Sequence, residues 1–187
     1  MINGRRVKIL QMRLNKINDE VLVANESIVR LSGMDIASLK HQALANARRR
    51  IRVCTHPDTN NRLHEMLIVH TRGTYVRPHK HLNKSESVHI IEGEVDVVFL
   101  DDAGAVRDVV RLGDFRSGRD FYCRANWPLY HTLLIATDFL VFHEITNGPF
   151  QREDTIFAPW APEESNTLAC SEFLARVARE AASHARV

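Results

Sequence analysis

Hydrophobic and polar positions alternate over short stretches through the middle of the chain, which is the period of strands that bury one face. These stretches are rich in β-branched residues, and turn-forming residues such as Glu92-Gly93 and Asp101-Asp102-Ala103-Gly104 separate them. Many short strands at regular spacing predict a sandwich or barrel. The predicted strands cover residues 51–54, 65–70, 87–91, 95–100, 106–112, 133–136 and 139–145.

Two segments outside this region have helical spacing of apolar residues. One predicted helix is capped by Ser32 or Asp35 and runs to about residue 49. The other is capped by Ser165 or Asn166 and runs to about residue 185. The chain therefore divides into N-terminal strands and a helix packing on a barrel (1–50), the barrel itself (51–150), and an extended segment with a C-terminal helix (151–187).

Composition excludes several classes of function. Hydrophobic residues make up 44% of the 187 positions and the net charge is +2, which is typical of a soluble globular protein and gives no electrostatic reason for binding nucleic acid. The three cysteines form no CxxC pair, which favours reduced thiols in the cytoplasm. Neither a signal-peptide apolar run nor a stretch of roughly 20 apolar residues is present. We therefore expect a cytoplasmic protein with no nucleic-acid or membrane partner.

The chemistry is concentrated in one stretch, residues 73–93. His79 and His81 stand two residues apart, so on a strand both imidazoles point to the same face. Pro78 favours an extended conformation before them. Glu86 begins the next predicted strand, and an antiparallel neighbour can bring its carboxylate back beside the two histidines.

Two histidines and a carboxylate on one face are the facial ligand set of metals that keep open positions for substrate or O₂. His131, which begins a later apolar strand, is the best candidate for a fourth ligand. Without a metal, such converging groups would be unfavourable buried polar groups. The sequence thus predicts one divalent metal ion, Fe, Zn, Mn or Ni, bound by His79, His81, Glu86 and His131. The remaining histidines are interpreted as structural or surface residues: His56, His64, His70, His89 and His143.

Two further residues are candidates for catalysis. Leu140, Phe142 and Glu144 share one face of the predicted strand 139–145. If that face is turned inward, Glu144 can serve as a general acid or base; if not, it is a solvated surface carboxylate. Tyr75 shares the parity of His79, so it is also expected to reach the site.

Candidates for substrate binding are Arg77, Tyr130 and Trp127. The planar fork of Arg77 suits a carboxylate or phosphate, although an internal salt bridge with Glu92 or Glu94 is the alternative. Tyr130 and Trp127 are predicted to form an apolar wall beside the site, or else simply core.

The metal motif also carries a resemblance. Gly73, His79, His81, Glu86 and Gly93 fit the pattern Gly-x5-His-x-His-x4-Glu-x6-Gly, which resembles the first signature motif of the cupin superfamily. The resemblance implies a mainly β protein, a cupin-type double-stranded β-helix (jelly-roll barrel), here with an N-terminal and a C-terminal helix. The second cupin motif is degenerate in this chain. Pro128 stands three residues before His131, and no glycine lies between the two.

A closer resemblance is to the WbuC-type cupin metalloproteins, over roughly residues 19–164. It rests on three runs of sequence: Thr74-Tyr-Val-Arg-Pro-His-Lys-His81, His143-Glu-Ile-Thr-Asn-Gly-Pro-Phe150 and Phe157-Ala-Pro-Trp-Ala-Pro162. That family is associated with bacterial surface-polysaccharide (O-antigen) gene clusters. The resemblance therefore implies a small, sugar-related ligand and does not settle a reaction.

Three functions follow as hypotheses. The first is a metal-dependent enzyme, such as an isomerase or epimerase, acting on a sugar-related molecule. The second is a mononuclear non-haem iron dioxygenase, since four protein ligands leave two positions of an octahedron. The third is a non-catalytic metal and small-molecule binding module. A homodimer is also expected, paired through the predicted strands of residues 19–31 or through the final helix.

Overall fold

The computed structural model describes residues 13–125 and 128–184. Within that part of the chain, the N-terminal elements are strands β1 (Leu14–Lys16) and β2 (Val21–Ala24) and helix α1 (Gly33–Ala45). The central strands are β3 (Arg50–Cys54), β4 (Leu63–Thr71), β5 (His79–His81), β6 (Glu86–Glu92), β7 (Glu94–Leu100), β8 (Val106–Gly113), β9 (Tyr122–Ala125), β10 (Tyr130–Ile135) and β11 (Phe139–Asn147). A short 3-10 turn (Arg152–Asp154), strand β12 (Thr155–Phe157) and helix α2 (Thr167–Ser183) follow.

The strands form two sheets. The larger has the order β1-β2-β3-β4-β11-β6-β9, and the smaller has the order β12-β5-β10-β7-β8. Strands β4 to β11 contribute four neighbours to each sheet, β4-β11-β6-β9 and β5-β10-β7-β8, and this interleaved order is that of an eight-stranded jelly roll. The predicted fold class, a jelly roll with one helix at each end, is confirmed.

Alternation along the strands separates three apolar layers. Inward residues such as Leu140 and Phe142 meet Ile90 and Leu112 between the two sheets. Outward residues of the smaller sheet are covered by α2, and outward residues of the larger sheet are covered by α1. Because Phe173, Val177 and Ala181 of α2 are buried in this way, the apolar side of the final helix is used within the chain.

The first helix is shorter than predicted. Ser32 caps α1, and its side chain forms a reciprocal capping box with Asp35. The helix ends at Ala45 and not near residue 49, because the chain turns through Arg49 at a φ of 55° and starts β3 at Arg50. The three consecutive arginines at positions 48–50 therefore follow the helix, and Arg48 and Arg50 form ion pairs with Glu20.

Among the described residues, no helix combines the length and the apolar character needed to cross a bilayer. Both α1 and α2 are amphipathic helices that pack on a sheet.

Two glycines of the motif stretch adopt positive φ but meet different surroundings. Gly93, between β6 and β7, has a φ of +91°, and a Cβ there would lie 2.2 Å from the carbonyl oxygen of Phe139. Gly73 has a φ of +80°, and a Cβ there would meet nothing within 4 Å. Only Gly93 is thus required both by backbone conformation and by close approach of another strand.

We expect Gly73→Ala to lower the free energy of unfolding by about 1 kcal/mol, the cost of a left-handed alanine. Gly93→Ala should cost a further ~1–3 kcal/mol, because the β11 backbone must shift to admit the methyl group. Urea denaturation of the two variants and the parent chain measures both losses. Equal losses at the two positions would show that the contact with Phe139 is unimportant.

His70 is a buried histidine at the end of β4. It is 7% exposed, its Nδ1 has no hydrogen-bond partner within the described residues, and its ring meets the edge of Phe142 at 5.4 Å between centroids. Burial, with a smaller effect from the charge of Arg52, lowers the pKa of His70 to about 4. The folded protein therefore keeps this imidazole neutral at pH values where an unfolded chain would protonate it.

This difference predicts how stability depends on pH. The contribution of His70 is present in full above its unfolded pKa of about 6.5, and is lost as pH falls towards its folded pKa of about 4. His70→Phe should flatten the fall of unfolding free energy over this window by up to ~3 kcal/mol. The control, His41→Phe on the exposed side of α1, should keep the parent slope in pH-dependent urea melts. An unchanged slope in His70→Phe would contradict this account.

Candidate metal centre

Three histidines converge on the inner face of the smaller sheet. Strand β5 lies between β12 and β10, and His131 of β10 pairs directly with His79. Because side chains two residues apart share a face, His81 joins the same group. The ring centroids of His79 lie 4.5 Å from His131 and 5.0 Å from His81, and one ring nitrogen of each histidine lies within 4.8 Å of the others. These three residues can therefore hold one metal ion.

The carboxylate of Glu86 approaches this group from the opposite sheet. Its Oε2 lies 3.1 Å from Nε2 of His81, and its Oε1 lies 3.7 Å from Nε2 of His131. Glu86 is at the start of β6, on the same face as Val88 and Ile90, which point between the sheets. The four candidate ligands thus come from both walls of the jelly roll and meet in its interior.

Each imidazole is oriented through its other nitrogen. Nδ1 of His79 lies 2.9 Å from the carbonyl oxygen of Arg77, and Nδ1 of His131 lies 3.4 Å from that of Leu129. Since a carbonyl only accepts, both Nδ1 atoms donate, and each Nε2 keeps a free lone pair. The hydroxyl of Thr155 in β12 contacts Nδ1 of His81 at 3.2 Å. This is the outer hydrogen-bonding shell that metal-ligating histidines use.

The electrostatics of the group also suit a cation. Burial lowers the pKa of His79 to about 3, and the neighbouring His131 adds to this effect. Burial likewise lowers the pKa of His131. For Glu86, burial favours the neutral acid, but the hydrogen bond with His81 and the imidazole charges together outweigh it and lower the pKa to about 2. Burial thus favours neutral imidazoles at His79 and His131 beside an ionised Glu86, which is the protonation state that metal binding requires of these ligands.

Glu144 lies inside the jelly roll. Leu140 and Phe142 share the face of β11 that carries Glu144, and both are buried between the sheets. This face of β11 is therefore turned inward. Burial raises the pKa of Glu144 to about 8; the charge of Glu86 adds to this and the charge of Arg52 opposes it. A second carboxyl group, neutral at pH 7, therefore shares the interior with the metal ligands.

Two tyrosines proposed from the sequence lie elsewhere. The hydroxyl of Tyr75 donates to the carbonyl oxygen of Pro162 at 3.0 Å, and its ring packs on Phe173 of α2. Tyr130 is buried in the same outer layer, because it precedes His131 by one residue and so points to the opposite face. The prediction that Tyr75 shares the face of His79 was wrong. Strand β5 begins only at His79, so residues 74–78 do not follow strand alternation.

Arg77 forms a salt bridge within the chain, but its partner is not one of the two glutamates expected from the sequence. Its Nη1 lies 2.7 Å from Oε2 of Glu163, and its guanidinium stacks over Phe157 at 5.1 Å from the ring centroid. The ring of Phe157 in turn lies 6.0 Å from that of His79. Arg77 therefore contacts the outer side of a ring that borders the site. Glu92 and Glu94, the expected partners, pair with Lys40 and Arg119.

Trp127, the remaining substrate-binding candidate, lies outside the described residues. Thr155 and Phe157, by contrast, border the site without having been identified from the sequence. They belong to the three-residue strand β12, which is too short to show a period.

An open cleft of about 470 Å³ adjoins the metal group. The turn between β5 and β6 forms one of its walls, and Asn83 in this turn adopts a left-handed conformation with a φ of 59°. The cleft gives a small molecule a place to lie beside the ligands. Its lining consists of His81, Leu82, Asn83, Lys84, Ser85 and Pro128.

Comparison with known proteins gives distant similarities. A family model for a domain of unknown function (DUF6016) matches residues 31–112. No curated protein matches the chain. The structure of protein SO0799 from Shewanella oneidensis is 14% identical, with a TM-score of 0.47 over 66% of this chain and 78% of that one.

Oxalate decarboxylase from Bacillus subtilis is similar over a smaller part. It is 17% identical, with a TM-score of 0.42 over 52% of this chain and 24% of the decarboxylase chain. Another structure of that enzyme, which concerns its Mn(II) centres, is 17% identical, with a TM-score of 0.41 over the same shares of both chains. Similarities this low in identity and TM-score carry no function over to this chain.

We expect the purified protein to bind about one divalent ion per chain, as measured by elemental analysis and titration calorimetry. His79→Ala should weaken binding at least ~100-fold by removing a ligand, and Thr155→Val should weaken it ~10-fold by releasing the ring of His81. The control His89→Ala changes an exposed histidine of β6 and should bind as the parent does. Parent-like affinity in His79→Ala would disprove the site.

Proposed function

We propose that this protein is a metal-dependent enzyme whose substrate is a small molecule bound at the mouth of the jelly roll. The observation that carries the proposal is the set of three imidazoles and one carboxylate with an additional, neutral carboxyl group in the same interior. A purely structural metal site is usually closed by its protein ligands and does not need a further acid beside it. The adjoining cleft supports access by a ligand.

The roles of the residues follow from their positions. His79, His81, Glu86 and His131 would hold the ion, which when bound supplies Lewis-acid polarisation of a substrate carbonyl or hydroxyl oxygen. Glu144 would take a proton from the substrate as a carboxylate and return it as the acid, because its carboxyl group is inside the jelly roll and, with a pKa of about 8, exchanges between the two forms near neutral pH. Buried apolar residues such as Phe142 and Ile90 keep water from the inner side of the site.

For the substrate class, we propose a sugar-related molecule, with isomerisation or epimerisation as the reaction. The support is the resemblance of three sequence runs to the WbuC-type cupins. Proton transfer next to a polarised carbonyl is the chemistry that one carboxyl group and one Lewis acid can perform together. A role in surface-polysaccharide metabolism, a cytoplasmic location and a homodimer remain predictions.

The second candidate is a mononuclear non-haem iron dioxygenase. It is favoured by the same ligand count, because four protein donors leave two positions of an octahedral ion for O₂ and substrate. The two candidates differ in metal content and in their need for oxygen. Turnover by the zinc-loaded or manganese-loaded protein under anaerobic conditions supports the isomerase, whereas oxygen uptake that requires iron supports the dioxygenase.

The experiment combines a substrate screen with a variant of Glu144. Metal-loaded protein is incubated with a panel of sugars and sugar nucleotides in D₂O, and proton NMR detects deuterium incorporation or a new isomer. Glu144→Gln should reduce turnover ~10²–10⁴-fold with metal affinity within about twofold of the parent. Glu65→Gln, on the outward face of β4, is the matched control and should keep full activity.

Each outcome of this screen has a distinct meaning. Parent-like turnover by Glu144→Gln would remove Glu144 from the reaction. Tight binding of a sugar without conversion, aerobically or anaerobically, would reject the enzyme and favour a non-catalytic binding module.

A further inference from the structure

The cleft beside the metal group contains an unusually buried lysine. The side chain of Lys84, in the turn between β5 and β6, is 6% exposed. Its Nζ lies 3.8 Å from Oδ2 of Asp154, which is beyond hydrogen-bonding distance, and 5.2 Å from the ring centroid of Phe150. Within residues 13–125 and 128–184, Nζ donates no hydrogen bond. The ammonium group therefore retains donors that the described residues do not use.

Asp154, the ion-pair partner of Lys84, is close to the metal group. Asp154 directly precedes Thr155, whose hydroxyl contacts Nδ1 of His81. The main-chain N–H of Leu82 also donates to the carbonyl oxygen of Asp154 at 2.7 Å. The ammonium group consequently belongs to the same end of the jelly roll as the metal ligands.

The turn that carries Lys84 is held firmly. Asn147 at the end of β11 accepts from the main-chain N–H of Ser85 at 2.9 Å and donates to the carbonyl oxygen of Asn83 at 3.3 Å. These bonds fix the turn from both sides, so the position of Lys84 does not depend on a mobile loop. A turn whose main chain is already ordered loses little further entropy when a ligand binds beside it.

The charge around the cleft favours an anion. Lys84 has a nearly buried side chain whose ion pair with Asp154 is long, at 3.8 Å, so its charge is only partly compensated. Arg124 adds a second cation next to Ser85, a residue that lines the cleft, because its Nη2 donates to Oγ of Ser85 at 3.4 Å. A divalent ion held by three neutral imidazoles and one carboxylate also carries a net positive charge.

We infer that Lys84 anchors the anionic group of the substrate, a carboxylate or a phosphate, in the cleft beside His81. The inference rests on the proposed function and specifies its substrate class: a small molecule with an oxygen for the metal at one end and a negative charge at the other. An ammonium group recognises both kinds of anion as a point charge. Lys84 is thus a residue that determines specificity by positioning the substrate.

The test uses the full chain loaded with Mn(II), with inorganic phosphate and acetate as the two probes. Mn(II) enhances the relaxation of the ³¹P nucleus of phosphate or the ¹³C carboxyl nucleus of acetate only when the anion binds near the ion. We expect at least one probe to show saturable enhancement, and Lys84→Gln to weaken its binding at least fivefold. Lys84→Arg, which keeps the charge, should restore most of the affinity. The responding probe distinguishes phosphate from carboxylate recognition.

The matched control is Lys80→Gln. Lys80 lies in β5 between the two histidines but points to the outer face, where it binds Asp102 and covers the ring of Tyr130. This variant should bind the probes as the parent does. Thermal melts of all variants confirm that each is folded, and if Lys84→Gln is not, Lys84→Met replaces it.

The outcomes separate this inference from the proposed function. Electron paramagnetic resonance first measures Mn(II) bound per chain, and failure to bind any ion rejects the metal site itself. In that case calorimetric titration of phosphate and acetate into the metal-free parent and Lys84→Gln still tests the anion site. Enhancement or heat that is equal in the parent and Lys84→Gln, or the absence of binding by both probes, would overturn the role of Lys84.

Discussion

The contact between Glu86 and the histidines across the gap between the sheets is the interaction on which the rest of the centre depends. Glu86 is contributed by the larger sheet, and His79, His81 and His131 are contributed by the smaller one. A carboxylate in this position is stable only if partners meet it, and His81 at 3.1 Å is the nearest. The two sheets must therefore pack in one register for the ligands to meet, so the fold and the metal centre are coupled.

The same strand alternation builds an apolar core at one end of the jelly roll and a polar site at the other. Along the inward face of β11, Leu140 and Phe142 are buried in the core, and Glu144 follows them towards the ligands. Glu86 pairs with the next inward residue, Thr146. The apolar end supplies packing energy through buried area, and the polar end can then accommodate groups that packing alone would disfavour.

The two carboxyl groups in the interior, those of Glu86 and Glu144, differ in protonation state. Two carboxyl groups share one low-dielectric space, so the hydrogen bond from His81 keeps one ionised while burial keeps the other protonated. Environments that separate the pKa values of neighbouring acids are a common feature of acid–base sites. Lys84, whose side chain is nearly buried, adds a positive charge at the wall of the cleft.

The sequence by itself indicated a sandwich or barrel with two helices outside it, because strand alternation and helical spacing are local properties of the chain. The resemblance of the motif stretch to the cupin signature narrowed this expectation to a jelly roll. The sequence also brought His79 and His81 together, since residues two apart on a strand share a face whatever surrounds them. The helix cap at Ser32 followed from side-chain chemistry within one turn.

Tertiary structure decided everything that depends on which strands are neighbours. It turned Glu144 inward, because the phase of β11 is set by packing against the opposite sheet. Packing against α2 places Tyr75 and Tyr130 in the outer layer. Arg77 pairs with Glu163, which belongs to a segment distant in sequence. The short strand β12 and the burial of Lys84 likewise arise from contacts that no local pattern encodes.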